Sequence, residues 1–253
     1  MHERLAPPLP DPAPHNTNLS LYIQSIEQVA TQRNYTFVNI FHPGIPIPLT
    51  SDGIQPTPYG YYILNAGALG GFGFDGGSFC RIELDAGGTV VAAKGTRVEN
   101  VKALATGISF KTTDEMLPMP PPPLDGRSTN LTLHLFQMSL RVTGLPAGSY
   151  RLEAGGETLA AGTAKDWDSG INFEGGPAYA QAEALRKLIV AKNTDWFNRW
   201  RPANDTYLFG FRKHEQGRNA VEIPQFDPLI AQKEAEIAKA KVPRPVTYTL
   251  ERQ

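Results

Sequence analysis

The amino-acid sequence predicts an α/β chain made of a helix–strand–helix unit of parallel-sheet type, an inserted antiparallel β module and a helical C-terminal extension. Three observations carry this reading. An amphipathic run over residues 19–30 leads directly into Tyr35-Thr-Phe-Val-Asn-Ile-Phe41, a short apolar, β-branched and aromatic stretch of the kind buried in parallel sheets. From Phe79 to Phe173 the pattern changes to short alternating runs separated by turn formers. After Gly176-Pro177 a helical period returns, with apolar residues at Leu185, Leu188, Ile189, Trp196 and Trp200. The expected boundaries are residues 1–70, 71–175 and 176–253, the last segment packing back on the α/β part.

Taken in order, Asn16, Thr17 and Asn18 offer caps for a first helix with apolar positions at Leu19, Tyr22, Ile23, Ile26, Val29 and Ala30, closed by Asn34. The strand Tyr35–Phe41 follows. A loop over 42–55 leads to Thr57-Pro58, a cap and a first-turn proline for a helix through about Ala66. Strands are expected at Cys80–Leu84, Thr89–Lys94, Ile108–Lys111, Leu131–Thr143, Ser149–Ala154 and Glu157–Ala161. The turns between them are Asp85-Ala-Gly-Gly88, Gly144-Leu-Pro-Ala-Gly148 and Gly155-Gly156. Met116–Pro123, with five prolines, reads as an extended loop. Asp227-Pro228 introduces a polar helix over Leu229–Lys241, followed by a proline-rich tail.

Composition excludes several classes of function. A formal net charge of -1 over 253 residues leaves no electrostatic footprint for nucleic acid. The single cysteine, Cys80, rules out an internal disulfide framework and a thiolate-rich metal site. His15, His42 and His134 lack the pairing and spacing of a metal centre, so neither metal nor other cofactor is expected. No stretch is apolar for long enough to span a bilayer, and the residues from Met1 to Pro14 lack the pattern of a secretory signal.

Leu49-Thr-Ser-Asp-Gly-Ile-Gln55, followed by Thr57-Pro-Tyr-Gly-Tyr61, resembles the last block of the SGNH/GDSL hydrolases, in which Asp-x-x-His precedes the final helix. Ala184–Asn193, Trp200–Asn204 and Thr206–Gly217 are similar to the tail of a bacterial branch of that superfamily found in planctomycetes and their relatives. The resemblance runs from about Pro7 to Tyr248. It implies a partial SGNH-like, flavodoxin-like sheet unit and a serine esterase acting on a small-molecule or glycan ester, such as an acylated carbohydrate. It further implies a periplasmic or extracellular location for full-length relatives.

That chemistry needs a serine in a Gly-Asp-Ser block, oxyanion-hole donors and a base to activate the serine. Asp52 stands at the family aspartate and Gln55 at the family histidine, and a carboxamide does not cycle a proton. The Gly-Asp-Ser block has no counterpart; Asp168-Ser169-Gly170 and Asn204-Asp205 hold the right residue types in the wrong places. The chain is therefore expected to be a C-terminal portion, inactive alone. Apart from the resemblance, Ser-Asp-Gly before a helix is simply a turn and cap. Trp200, Arg212 and His214 belong to an aromatic and basic cluster that either binds substrate or, by the plainer reading, packs the C-terminal segment. The alternative to the esterase is a non-catalytic glycan- or protein-binding module derived from one.

Overall fold

The computed structural model describes residues 11–41, 48–73, 79–120, 137–200, 214 and 223–253. They fall into two compact units, Met1–Gly77 with Pro121–Leu135, and Ser78–Pro120 with Phe136–Gln253. The chain mixes helices with two sheets, so the predicted α/β class holds.

The first unit contains α1 (Ala13–Gln32) and α2 (Pro58–Gly71). Helix α1 begins earlier than the Asn16–Asn18 caps suggest: Asp11 accepts a 3.0 Å bond from the amide of Ala13, and Pro14 sits in the first turn. It ends as expected, with Asn34 in the left-handed region at φ 55° and the Tyr35 amide closing back on the Ala30 carbonyl at 2.8 Å. Helix α2 starts at the predicted cap, where Thr57 Oγ1 accepts from the Gly60 amide at 3.0 Å. It runs one turn past Ala66, through three glycines. Gly71 is required there because a Cβ would collide with the side chain of Val38.

The predicted strand Tyr35–Phe41 is not formed. Its residues adopt neither helix nor strand and join neither sheet. A buried strand needs neighbours to satisfy its amides and carbonyls, and among the described residues none pairs with it. Among the described residues of this unit, Leu49, Tyr59 and Ile63 form a buried cluster, with Tyr62 and Leu64 packed against them.

The second unit is a β sandwich. One sheet contains β1 (Cys80–Asp85), β2 (Thr89–Lys94), β5 (Met138–Thr143) and β8 (Ile171–Phe173), in the order β2-β1-β5-β8. The other contains β3 (Thr96–Leu104), β4 (Gly107–Asp114), β6 (Ser149–Ala154), β7 (Glu157–Thr163) and β9 (Val246–Arg252), in the order β3-β4-β9-β6-β7. All pairings are antiparallel except β1 with β5, which run parallel from Cys80↔Met138 to Asp85↔Thr143.

Alternation produces the core. Burial alternates along the whole of β4 and β5, and their inward residues meet those of β1, β6 and β9. Trp167, on the short helix α3 (Ala164–Ser169), seals one side of this core with no exposed surface. A reciprocal cap fixes α3, since Thr163 and Asp166 bond each other's backbone and side chain.

Helix α4 (Gly176–Trp200) anchors only its start in the core, through Ala178, Tyr179 and Ala182, and then pairs with α5 (Phe226–Ala240). Gln181 joins the two. Its amide donates to the Ala240 and Val242 carbonyls at 2.8 and 2.7 Å, and its oxygen accepts from the Arg244 amide at 3.0 Å. Segment 176–253 therefore lies in the same unit as the β module, and its predicted proline-rich tail ends as a strand in the middle of the second sheet. Strands β3 and β8 and helix α3 were likewise not expected from the sequence.

Candidate functional site

The segment Thr50–Pro56 is a tight loop closed by an isolated bridge between Thr50 and Pro56, placed directly before α2. Asp52 organises it. Its Oδ1 accepts from the amides of Ile54 and Gln55 at 2.9 and 2.7 Å, an arrangement that fixes the carboxylate and bends the backbone. The amide of Gly53, at φ 85°, donates to Thr50 Oγ1 at 3.1 Å. The Gln55 carbonyl accepts from the Ser51 amide at 3.0 Å. Both Asp52 and Gln55 are exposed, so the loop presents an oriented carboxylate and a carboxamide to solvent.

Of the other sequence candidates, Trp200 and His214 belong to the second unit. Trp200 ends α4 and is exposed; its ring lies 5.9 Å from that of Trp196, and the Arg199 guanidinium sits 5.0 Å above it. Arg199 also pairs with Asp227 of α5 at 2.7 Å, so the same side chain holds the helix pair together. His214 is exposed, and Arg212 lies outside the described residues. No group of three or more His, Cys, Asp or Glu residues suited to a metal ion occurs among the described residues. No helix among them is long and apolar enough to cross a membrane.

The chain shares its fold with a solved enzyme. That structure, BT4096, a gut microbial diltiazem-metabolizing enzyme, superposes with a TM-score of 0.72 at 19% identity, over 94% of this chain and 67% of its own. At that identity the likeness is one of backbone fold. No protein-family model and no curated protein matches the chain.

Two features escaped the sequence reading. Asp114, at the end of β4, is buried between strands: Thr96 Oγ1 donates to its Oδ1 at 2.6 Å and Cys80 Sγ to the same oxygen at 3.8 Å. Burial raises its carboxyl above the ordinary carboxylate value, partly offset by the Thr96 hydrogen bond. Burial and the neighbouring Asp114 charge push the Cys80 thiol well up, so it is no nucleophile. Only the lone aspartate closing an alternating run could have signalled this cluster.

The second feature is a cavity of about 300 Å³ at the opposite end of the sandwich, where β1–β2, β3–β4 and β5–β6 turn. Gly87, Thr106, Gly107, Gly144 and Arg252 line it. The Arg252 Nη2 donates to the Ala147 carbonyl at 2.6 Å, which ties the end of β9 to the β5–β6 loop.

Proposed function

We propose that the chain carries the acid-bearing loop of an SGNH/GDSL-type ester hydrolase, a serine enzyme acting on carboxylic esters such as acylated carbohydrate. The observation that carries the reading is the Asp52 loop: a carboxylate pinned by two backbone amides on an exposed turn, directly before a helix. A shared fold with an enzyme that metabolises diltiazem supports it. In such a reaction an aspartate orients and stabilises a base, the base takes the serine proton, and backbone donors hold the oxyanion.

Asp52 is suited to the first of these tasks. Gln55 is not suited to the second, because its carboxamide neither takes up nor releases a proton near neutral pH and so cannot act as a base. None of the 253 residues stands in a Gly-Asp-Ser motif, so the nucleophile is not provided by this stretch. Loss of a triad member costs ~10⁴ to 10⁶ in turnover, and these 253 residues alone are expected to be inactive.

The experiment is hydrolysis of an aryl acetate by the purified chain, by Gln55→His and by Asp52→Ala. Rates at background for all three are the expected result. Turnover that disappears in Asp52→Ala would support the role of Asp52 and overturn the expected inactivity by placing a nucleophile within these residues, whereas turnover that survives Asp52→Ala would refute the assignment. Sequencing the DNA 5′ of codon 1 for an in-frame Gly-Asp-Ser checks the same division of labour independently.

One observation favours a second reading, a glycan-binding module without catalysis: Trp196, Phe197 and Trp200 are each about half exposed or more on one end of α4. Exposed indole faces stack on sugar rings. Quenching of tryptophan fluorescence by oligosaccharides, abolished in Trp200→Ala, would support that reading. An unchanged spectrum would remove it.

A further inference from the structure

The cavity where the β1–β2, β3–β4 and β5–β6 turns meet has a volume of about 300 Å³. That is the lower end of small-molecule sites, which span about 300–1,000 Å³. Leu104, Leu145 and Pro146 line it with the small residues of the turns, and Arg252 is the one charged residue among the described residues that line it. Arg252 is fixed from two sides: its amide donates to the Thr106 carbonyl at 2.8 Å, and its Nη2 to the Ala147 carbonyl at 2.6 Å. Gly148 makes room for the guanidinium, because a Cβ there would lie 2.5 Å from Nε. Among the described residues no carboxylate pairs with Arg252. Asp85, the acid of the β1–β2 turn, uses its Oδ1 to accept from the Gly87 amide at 2.7 Å. A guanidinium carries five N–H donors, and the Ala147 clamp uses one of them.

We propose that this cavity binds a small carboxylate with a short apolar body, its oxygens on the fork of Arg252 and its body against Leu104, Leu145 and Pro146. The planar fork matches the two oxygens of a carboxylate. A strongly hydrated dianion such as phosphate gains one arginine here and loses its water against apolar walls, and an amine meets a like charge. Turns at one end of a rigid sandwich are where such scaffolds carry binding residues. The proposal goes beyond the ester-hydrolase reading and is independent of Asp52.

The test is titration of the whole, isotope-labelled chain with sodium butyrate at constant ionic strength, followed through its amide resonances. In wild type, Thr106, Gly107, Gly144 and Leu145 should shift together and saturate with a Kd of about 1 mM, the strength open to a ligand of so few atoms. Butylamine, with the same body and the opposite charge, should leave them in place. Arg252→Gln should weaken butyrate about tenfold or more. Because that variant also loses the Ala147 clamp, Gly148→Ala serves as the second: it keeps the charge, and its Cβ displaces only the flexible guanidinium. It should weaken butyrate about threefold or more, since the fork is no longer aimed. Unmoved β8 resonances in both variants confirm an intact sandwich. Four outcomes overturn the proposal: no saturating shift by about 50 mM butyrate, butylamine moving the same amides as strongly, inorganic phosphate displacing butyrate at equal concentration, or Gly148→Ala binding as tightly as wild type.

Discussion

In the β sandwich, alternate residues of Gly107–Asp114 and Met138–Thr143 are buried, and the described core gathers eighteen buried residues from strands, α3 and the start of α4. In the N-terminal unit, an equally regular helical pattern ends with Ala30 buried and half of its apolar stripe, Tyr22, Ile26 and Val29, exposed to water. The difference teaches that periodicity records which face needs cover, whereas cover itself depends on another element being present. Strands β4 and β5 find theirs within the chain. Among the described residues, helix α1 buries only Ala30, and Tyr35–Ile40 is covered in part, where Val38 meets Gly71 of α2.

The largest expected effect comes from the covered side. Leu250 is fully buried at the centre of β9, and Leu250→Ala should cost about 2–5 kcal/mol in urea unfolding of the sandwich. A loss under ~1 kcal/mol would mean that the sandwich core is looser than its burial implies.

A smaller effect is expected from Asp114. Its carboxyl is raised in the folded protein, so the folded state holds a proton that the unfolded chain releases. This contribution to stability is complete below the unfolded value of ~3.9 and is lost as pH rises through the folded value. Subtracting the urea midpoints of Asp114→Asn from wild type across acid pH should isolate a difference that falls as pH rises. Asp166 and Glu183, whose values are lowered, give slopes of the opposite sign that cancel in the subtraction. A flat difference would show that Asp114 is solvated.

The smallest effect belongs to the uncovered side, where Tyr22→Ser should change stability by no more than ~0.5 kcal/mol. If it matched Leu250→Ala, α1 would be packed in solution and the contrast between the units would collapse.

Much of the sandwich was legible because alternation and glycine turns are local signals. Thr89–Lys94 and Ser149–Ala154 have the predicted bounds, and α2 starts at the predicted Thr57. Thr96–Leu104 was hidden because an edge strand tolerates the charges of Arg97, Glu99 and Lys102, which blur the period. Val246–Arg252 was hidden by Pro243 and Pro245, which lie just before the strand rather than in it, although Val246, Tyr248 and Leu250 alternate inward as a strand should. Tyr35–Phe41 failed in the other direction, because composition cannot supply a hydrogen-bonding neighbour.

The Asp52 loop was legible as a turn before a helix, and its geometry agrees. The Asp114 cluster was not, since its members come from three strands and meet only once the two sheets are stacked.

The position of β9 also sets an order of events during synthesis. It fills the gap between β4 and β6, and Ser109 of β4 bonds the Tyr248 carbonyl across 139 residues of sequence. While the ribosome makes the intervening chain, β4 and β6 each wait with one edge bare and cannot pair with each other in the native order. Contacts so distant in sequence form slowly, and bare strand edges invite association with other nascent chains. Gln181 of α4, bonded to Ala240, Val242 and Arg244, fixes the chain just ahead of β9 and so helps to aim that strand at its slot.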